Sequence, residues 1–224
     1  MTQPWQTLET INTPDGALEL RRRGNSDFLI LINGRVLMNS QANRSELALG
    51  AAACAAVSGR PRPRVLIGGL GMGLTLRAAL DALPADTQVV VAELNQVVAD
   101  WCRGPLAGLT SRAVDDPRVT VTIGNVAAII ARQGKPTGNY DAIIIDLYEG
   151  PHARTDSRND PFYGSQAIAK TREALSVGGV FAVWGENPDA GFEKRLTAAG
   201  FQIERLRPGK GGFRHVVYVA KKVK

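Results

Sequence analysis

Segments typical of strands and helices alternate regularly from Arg64 onward. The strand segments are apolar and rich in β-branched residues, and the helix segments repeat apolar residues with helical spacing. Such alternation requires right-handed crossovers and a mostly parallel sheet that is covered by helices on both faces. The sequence therefore predicts an α/β protein with a Rossmann-like sheet. We place its strands at 64–67, 87–93, 118–123, 140–146, 178–184, 201–207 and 213–221, and its helices at 73–83, 95–103, 125–132, 162–175 and 188–199.

The end of the chain breaks this alternation. Only the segment 208–212 separates the last two strands, which is too short for a crossover. The two strands must then form an antiparallel hairpin. A parallel sheet that ends in this way resembles the class I S-adenosylmethionine-dependent methyltransferase fold, whose seven strands run in the order 3-2-1-4-5-7-6. A dehydrogenase sheet, in contrast, keeps its sixth strand parallel.

The N-terminal part of the chain reads as a small antiparallel β unit over residues 1–44. Asp15-Gly16 and Asn33-Gly34 are turn dipeptides, and strand-like runs cover 17–22 and 28–32. An alanine-rich helix at 45–57 follows. The β unit is too small for an independent core. We therefore predict that it is an appendage to a second domain, residues 45–224, for which the resemblance to the methyltransferase fold implies binding of S-adenosylmethionine.

A glycine-rich turn joins the first strand of the alternating region to its first helix. Gly69, Gly71 and Gly73 form a G-x-G-x-G pattern there, and glycines remove every Cβ where a ligand must touch the backbone. The pattern alone is weak, because glycine turns after strands also serve packing. An acid at the end of the next strand makes it specific, since its carboxylate accepts hydrogen bonds from both ribose hydroxyls. Glu93 stands at that place, about 20 residues after the glycines.

Two further strand ends carry polar side chains. Asn125 follows the third strand, where its amide can read an adenine edge or cap the next helix, and the two roles are compatible. Asp146 closes the fourth strand, and Glu149 follows in the next loop. Ligands of open parallel sheets bind at the carboxyl ends of the strands, so we predict that both acids orient a nucleophile and accept its proton. Asp146 alternatively bonds only backbone groups of the turn.

Composition and charge exclude several classes of protein. The net charge of +6 comes from Lys and Arg that are scattered along the sequence, which is typical of a solvated surface and makes nucleic acid an unexpected partner. Cys54 and Cys102 lie far apart, so neither a disulfide framework nor a metal site is indicated. No apolar run reaches the roughly 20 residues that span a bilayer, and no secretory leader is visible. We expect a soluble, cytoplasmic protein without a metal.

The chain resembles the spermidine synthase (polyamine aminopropyltransferase) family over most of its length. The family has a glycine motif followed by T-L-R, an acidic ribose ligand, a D-P-R-V strand and a Y-D-x-I-I-x-D strand. Their counterparts here are Gly69 to Arg77, Glu93, Asp116 to Val119 and Tyr140 to Asp146. The resemblance implies a homodimer and a small-molecule acceptor. It also implies a nucleoside site that is built from Gly69, Gly71, Met72, Gly73, Glu93, Asn125 and Asp146.

Departures from the family pattern concern the charge of this site. Met72 stands where family members carry an aspartate that helps to hold the amine-bearing end of their ligands. Asn125 and Glu149 replace two other family aspartates, and the segment 43–46 matches the acceptor-binding segment poorly. An aspartate attracts the ammonium of decarboxylated S-adenosylmethionine and repels the carboxylate of S-adenosylmethionine. Without the acid at position 72, we expect S-adenosylmethionine to bind and its methyl group to pass to a small amine or acid.

Three alternatives stay open from the sequence. The first is an aminopropyltransferase that uses decarboxylated S-adenosylmethionine, with Glu149 in the role of the missing aspartate. The second is a nucleic-acid methyltransferase, although the segment after the fourth strand lacks the D/N-P-P-Y/F signature of base methylation. The third is a binding module that kept the fold and lost the chemistry, since fold does not imply function.

Overall fold

An antiparallel sheet of four strands begins the part of the chain that the structure describes. The structure is a computed structural model, and it describes residues 3–132, 139–209 and 215–223. The strands are β1 (Gln6–Thr13), β2 (Gly16–Arg23), β3 (Asp27–Ile32) and β4 (Arg35–Asn39), paired in chain order. The sequence predicted β2 and β3 but missed β1 and β4. β1 is polar and mostly exposed, and β4 is short, so neither has a buried apolar face to mark it.

A mixed sheet of seven strands forms the centre of the described residues. The strands are β5 (Arg64–Gly68), β6 (Gln88–Glu93), β7 (Val119–Ile123), β8 (Tyr140–Ile145), β9 (Leu175–Gly185), β10 (Phe201–Leu206) and β11 (Val216–Lys222). They lie in the order β10-β11-β9-β8-β5-β6-β7, and β11 is antiparallel to both of its neighbours. Both the predicted order 3-2-1-4-5-7-6 and the terminal hairpin are confirmed. The residues 210–214, which include the start of the predicted strand 213–221, lie outside the described ranges.

Helices cover both faces of this sheet, as predicted. The helices are α1 (Arg44–Ala55), α2 (Leu74–Ala82), α3 (Gln96–Arg103), α4 (Val126–Arg132), α5 (Ser165–Ala174) and α6 (Ala190–Ala198). Successive side chains of a strand point to opposite faces. Val65 and Ile67 of β5 therefore pack with α1, α2 and α3, while Leu66 packs with α4, α5 and α6. The apolar side chains of β2 and β3 join the cluster around Val65, so the N-terminal sheet shares the core of this face.

The connection between β8 and α5 is longer than the sequence predicted. The helix expected at 162–175 begins at Ser165, because the carboxylate of Asp160 holds a preceding turn. Its Oδ1 accepts hydrogen bonds from the backbone N–H groups of Phe162 (2.9 Å) and Tyr163 (2.7 Å). β9 also begins earlier than predicted, at Leu175, which pairs with Tyr140 of β8. Across the described ranges, the helices are too short or too polar to cross a bilayer.

Candidate active site

A cavity of about 270 Å³ opens at the carboxyl ends of β5, β6, β7 and β8. Ligands of open parallel sheets bind in this position, where the connections leave a crevice beyond the strand ends. Five of the eight predicted site residues line the cavity, which are Gly69, Gly71, Glu93, Asn125 and Asp146. The structure therefore brings together residues that lie as far apart in the sequence as Gly69 and Asp146.

Backbone hydrogen bonds hold the strand ends together around this cavity. Gly69 N–H donates to the carbonyl of Ala92 at 2.9 Å, and Gly124 N–H donates to the carbonyl of Glu93 at 2.8 Å. Asp146 N–H donates to the carbonyl of Gly68 at 2.8 Å. The parallel ladder thus continues one residue beyond the regular strands. The side chains at these ends are consequently carried on a rigid edge rather than on free loops.

The glycine turn needs glycine at two positions that line the cavity. Gly69 has a φ of +91°, and a Cβ there would collide with the backbone carbonyl oxygen of Asp146. Gly71 has a φ of +52°, and its Cβ would collide with the sulfur of Met38 from the N-terminal sheet. Only glycine adopts such backbone angles without strain while leaving this space free. The turn therefore brings its backbone close to Asp146 on one side and Met38 on the other.

Glu93 is held by the turn that it faces. It is 6% exposed, and its Oε2 accepts a hydrogen bond from Leu70 N–H at 2.9 Å. Its Oε1 accepts a second hydrogen bond from Asn95 N–H, also at 2.9 Å. The thiol of Cys102 supports the same turn by donating to the carbonyl of Gly71 at 3.3 Å. Burial, reinforced by the charge of Glu93, raises the pKa of Cys102 to about 12, so this thiol stays protonated.

Asn125 was predicted to cap α4 or to contact an adenine edge, and the sequence could not distinguish these two roles. Its side-chain Oδ1 accepts a hydrogen bond from Ala127 N–H at 2.8 Å, in the first turn of α4. The residue also lines the cavity. The capping role is therefore present in the structure, and the contact with an adenine edge stays a prediction.

Asp146 lines the cavity, and its side chain forms a hydrogen bond. Thr75, in the first turn of α2, donates its hydroxyl to Oδ2 of Asp146 at 2.5 Å. The alternative in which this carboxylate bonds only backbone groups of its own turn is therefore wrong. Burial, followed by the negative charge of Glu46, raises the pKa of Asp146 to about 7, and the Thr75 hydrogen bond acts in the opposite direction. A carboxyl group with this pKa exchanges protons readily near neutral pH.

Glu46 is a cavity residue that the sequence did not single out. It lies in the first turn of α1, lines the cavity and interacts electrostatically with Asp146. The hydroxyl of the buried Ser45 donates to its Oε2 at 2.7 Å. The two acids lie 100 positions apart in the sequence, and no motif spacing links them. The one available signal was an acid in the first turn of the helix that follows the N-terminal strands. Acids are common at helix starts, so this signal does not indicate a ligand site.

Three predicted site residues lie outside the set of described residues that line the cavity. Gly73 adopts a φ of +78° at the start of α2 and serves the helix rather than the cavity. Met72 is fully buried in the core. Glu149 is exposed, and its backbone carbonyl accepts a hydrogen bond from the hydroxyl of Tyr163 at 2.7 Å. Met72 is therefore packed into the core and Glu149 is exposed to solvent in this structure, and the contacts of both residues with a ligand stay predictions.

The N-terminal sheet closes the cavity with an apolar wall. Leu18, Ile30, Ile32, Leu37 and Met38 line this side. Tyr148 and Phe162 from the connection between β8 and α5, and Trp184 from β9, also line the cavity. The cavity thus offers apolar surface for a hydrocarbon chain and carboxylates for a charged end. Among the described residues, no group of three or more His, Cys, Asp or Glu side chains is placed to hold a metal ion.

The curated proteins of similar sequence are named polyamine aminopropyltransferase or spermidine synthase. The chain is 31% identical over 133 residues to a polyamine aminopropyltransferase of Mycobacterium tuberculosis. The aligned region covers 59% of this chain and 24% of the relative. It is 28% identical over 209 residues to a polyamine aminopropyltransferase of Shewanella oneidensis, covering 83% of this chain and 34% of the relative. A spermidine synthase of Coffea arabica is 30% identical over 128 residues, covering 57% of this chain and 38% of the relative. No family model matches the chain. The chain spans about a quarter to two fifths of the length of these relatives.

Solved structures show the same fold. A spermidine synthase from Thermotoga maritima superposes with a TM-score of 0.74 at 20% identity, covering 97% of this chain and 73% of that one. A spermidine synthase in complex with the transition state analogue AdoDATO gives a TM-score of 0.73 at 19% identity, covering 97% and 72%. The predicted resemblance to the spermidine synthase family and the class I methyltransferase-like fold are both confirmed. The three curated relatives are named polyamine aminopropyltransferase or spermidine synthase, and these names give no support to methyl transfer, which was the primary expectation.

Proposed function

We propose that the chain binds decarboxylated S-adenosylmethionine and transfers its aminopropyl group to a small amine. The observation that carries this proposal is the pair of carboxyl groups, Glu46 and Asp146, that line one cavity and interact with each other. Negative charge in a partly desolvated cavity attracts an ammonium group and repels a carboxylate. The names of the similar proteins, polyamine aminopropyltransferase and spermidine synthase, support the same choice.

The residues that line the cavity fit an adenosyl group. Each carboxylate oxygen of Glu93 accepts one backbone hydrogen bond and retains a lone pair for a ribose hydroxyl. The glycine turn presents backbone without Cβ atoms at Gly69 and Gly71. Asn125 lines the cavity beyond the end of β7. These groups would hold the nucleoside with its sulfur towards Asp146.

Transfer from such a nucleoside requires a neutral amine and a place for its proton. When bound, the sulfonium supplies an electrophilic carbon and a thioether leaving group that takes the electron pair of the broken C–S bond. Asp146 accepts the proton that the amine nitrogen loses as the new C–N bond forms, because its pKa of about 7 suits this task near neutral pH. Thr75 fixes the carboxylate through its hydrogen bond. The apolar wall excludes water and positions the hydrocarbon part of the acceptor.

The test of this function is a transfer assay with putrescine as the amine. Purified protein is incubated with putrescine and decarboxylated S-adenosylmethionine, and the released thioether nucleoside and the extended amine are measured together. We expect both products in equal amounts. If neither product forms while a known aminopropyltransferase is active under the same conditions, the proposal is rejected. The alternative of a binding module without transfer activity would then be favoured.

The resemblance adds a homodimer and a small-molecule acceptor to the proposal, and the sequence composition adds a cytoplasmic location. Light scattering on the purified protein measures the first of these. A mass of one chain in solution would remove the homodimer from the proposal without affecting the chemistry.

A further inference from the structure

We propose that Glu46 selects the donor by binding the terminal ammonium of its aminopropyl tail. The inference rests on the proposed function, because it names the residue that distinguishes two nucleosides within the same site. Met72, which stands between Gly71 and Gly73, is apolar and buried in the core, so the glycine turn offers no charge at this position. The charge for that task must therefore come from another element.

The position of Glu46 meets this need. The hydroxyl of Thr75, which donates to Asp146, also lies 3.2 Å from the backbone carbonyl oxygen of Glu46, and Thr75 follows Gly73 by two residues. The same hydroxyl lies 2.5 Å from Asp146. The start of α1 is thus fixed against the start of α2 and the end of β8. Glu46 consequently reaches the cavity from α1 at the place where the glycine turn becomes a helix.

The charges around Glu46 call for a cation. Glu46 and Asp146 line the same cavity and interact electrostatically, and within the described ranges neither acid forms a salt bridge to Lys, Arg or His. Two acids that repel each other in a partly buried site are costly unless a positive group joins them. A ligand ammonium between them relieves this repulsion. A ligand carboxylate increases it.

Glu46 is also held in one orientation before a ligand arrives. Ser45 is 3% exposed, and its hydroxyl donates to Oε2 of Glu46 at 2.7 Å. The same oxygen of Ser45 lies 3.0 Å from Nδ1 of His215. A hydroxyl carries a single proton, so Ser45 accepts from Nδ1–H of His215 while it donates to Glu46. Among the hydrogen bonds of the described residues, the Glu46 side chain uses only Oε2, and a carboxylate that is oriented before binding loses less entropy when a ligand arrives.

Calorimetric titration with the two nucleosides tests the assignment. We measure the affinities of decarboxylated S-adenosylmethionine and of S-adenosylmethionine for the native protein and for Glu46→Gln, and take their ratio as the preference. The native protein is expected to prefer the decarboxylated form. Glu46→Gln should reduce this preference about tenfold or more, because one partner of a charge pair is lost, while the affinity for S-adenosylmethionine stays equal or increases.

Three variants separate charge from folding. Glu46→Asp keeps the negative charge and should retain part of the preference, whereas a purely structural role would make it as poor as Glu46→Gln. Glu173→Gln removes the same charge from an exposed position on α5 and should leave the preference unchanged. Ser45→Ala, which frees the Glu46 carboxylate, should lower the preference less than Glu46→Gln does.

Each outcome decides between the two proposals. If the native protein prefers the decarboxylated nucleoside and Glu46→Gln keeps the same preference, Glu46 is not the selecting residue and the proposed function stands. If the native protein binds neither nucleoside, or prefers S-adenosylmethionine, both proposals are overturned.

Discussion

The hydroxyl of Thr75 donates a 2.5 Å hydrogen bond to Asp146, which links the start of α2 to the end of β8 through two side chains. This bond opposes two other influences on the same carboxyl group. Burial and the charge of Glu46 favour its protonated form, and the hydrogen bond favours its ionised form. The balance gives a pKa of about 7. The proton affinity of the proposed base is therefore set by residues from three different elements.

Substitutions of Thr75 and of Glu46 should shift the pH dependence of transfer in opposite directions. The rate of the native protein should rise as Asp146 ionises, through a pH of about 7, and level off above it. Thr75→Val removes the hydrogen bond and should shift the rise to higher pH. Glu46→Gln removes the repelling charge and should shift it to lower pH. The measurement is kcat against pH at saturating substrates.

The substrate amine also titrates, but it does so identically in every variant. Thr75→Ser keeps a hydroxyl and serves as the matched control, so its profile should overlay that of the native protein. Shifts of Thr75→Val and Glu46→Gln in the same direction would contradict the assignment of the rise to Asp146.

Replacing Asp146 itself should remove the proton acceptor while preserving the nucleoside site. Asp146→Asn is expected to lower turnover by about 10²–10⁴-fold and to change nucleoside affinity by no more than a few fold. The amide oxygen still accepts from Thr75, so the fold should survive. Asp86→Asn, at an exposed position before β6, is the control and should turn over normally. Unchanged turnover of Asp146→Asn would remove this residue from the mechanism.

Glu93 has a structural role in addition to its proposed contact with ribose. Both of its carboxylate oxygens accept backbone N–H groups, from Leu70 and Asn95. A glutamine amide accepts at only one atom, so Glu93→Gln leaves one buried N–H facing another donor, at a cost of about 1–3 kcal/mol. We expect thermal unfolding at a lower temperature and weaker nucleoside binding. Glu204→Gln, exposed on β10, should alter neither property.

The glycine turn should tolerate no side chain where it meets Asp146. Gly69→Ala places a Cβ against the carbonyl oxygen of Asp146 at a φ of +91°, and the backbone strain alone costs about 1–3 kcal/mol. Gly108→Ala is the matched control, because nothing lies within 4 Å of the added Cβ. Urea unfolding of the two variants measures the difference. Equal stability would show that the turn is free to move away from β8.

The sequence predicted the main sheet well because its signals are local. The apolar runs of β5, β6 and β8 and the glycine turn each lie within about ten residues, and parallel connectivity then places their ends at one edge. Glu93, Asn125 and Asp146 could be predicted as neighbours for this reason. β1 was missed because its side chains are mostly exposed and carry no periodic apolar pattern.

The charge of the cavity could not be predicted in the same way. The methionine at position 72 is visible in the sequence. Glu46, the acid that interacts with Asp146, comes instead from α1, which precedes the seven-stranded sheet in the sequence. Its approach depends on tertiary packing of α1 on α2, which no local pattern specifies. The orientation of Glu149 likewise depends on the loop before α5, where Tyr163 holds the backbone. Reasoning from Met72 alone therefore favoured S-adenosylmethionine, whereas the proposal from Glu46 and Asp146 favours the decarboxylated donor.

A competition assay tests the central claim most directly. The native protein is given equal concentrations of decarboxylated S-adenosylmethionine and S-adenosylmethionine with putrescine as acceptor, and the mass added to the amine is read by mass spectrometry. The arrangement of Glu46 and Asp146 predicts that the added group is aminopropyl and that methylated amine is a minor product or missing. A product that carries mainly methyl groups would contradict it.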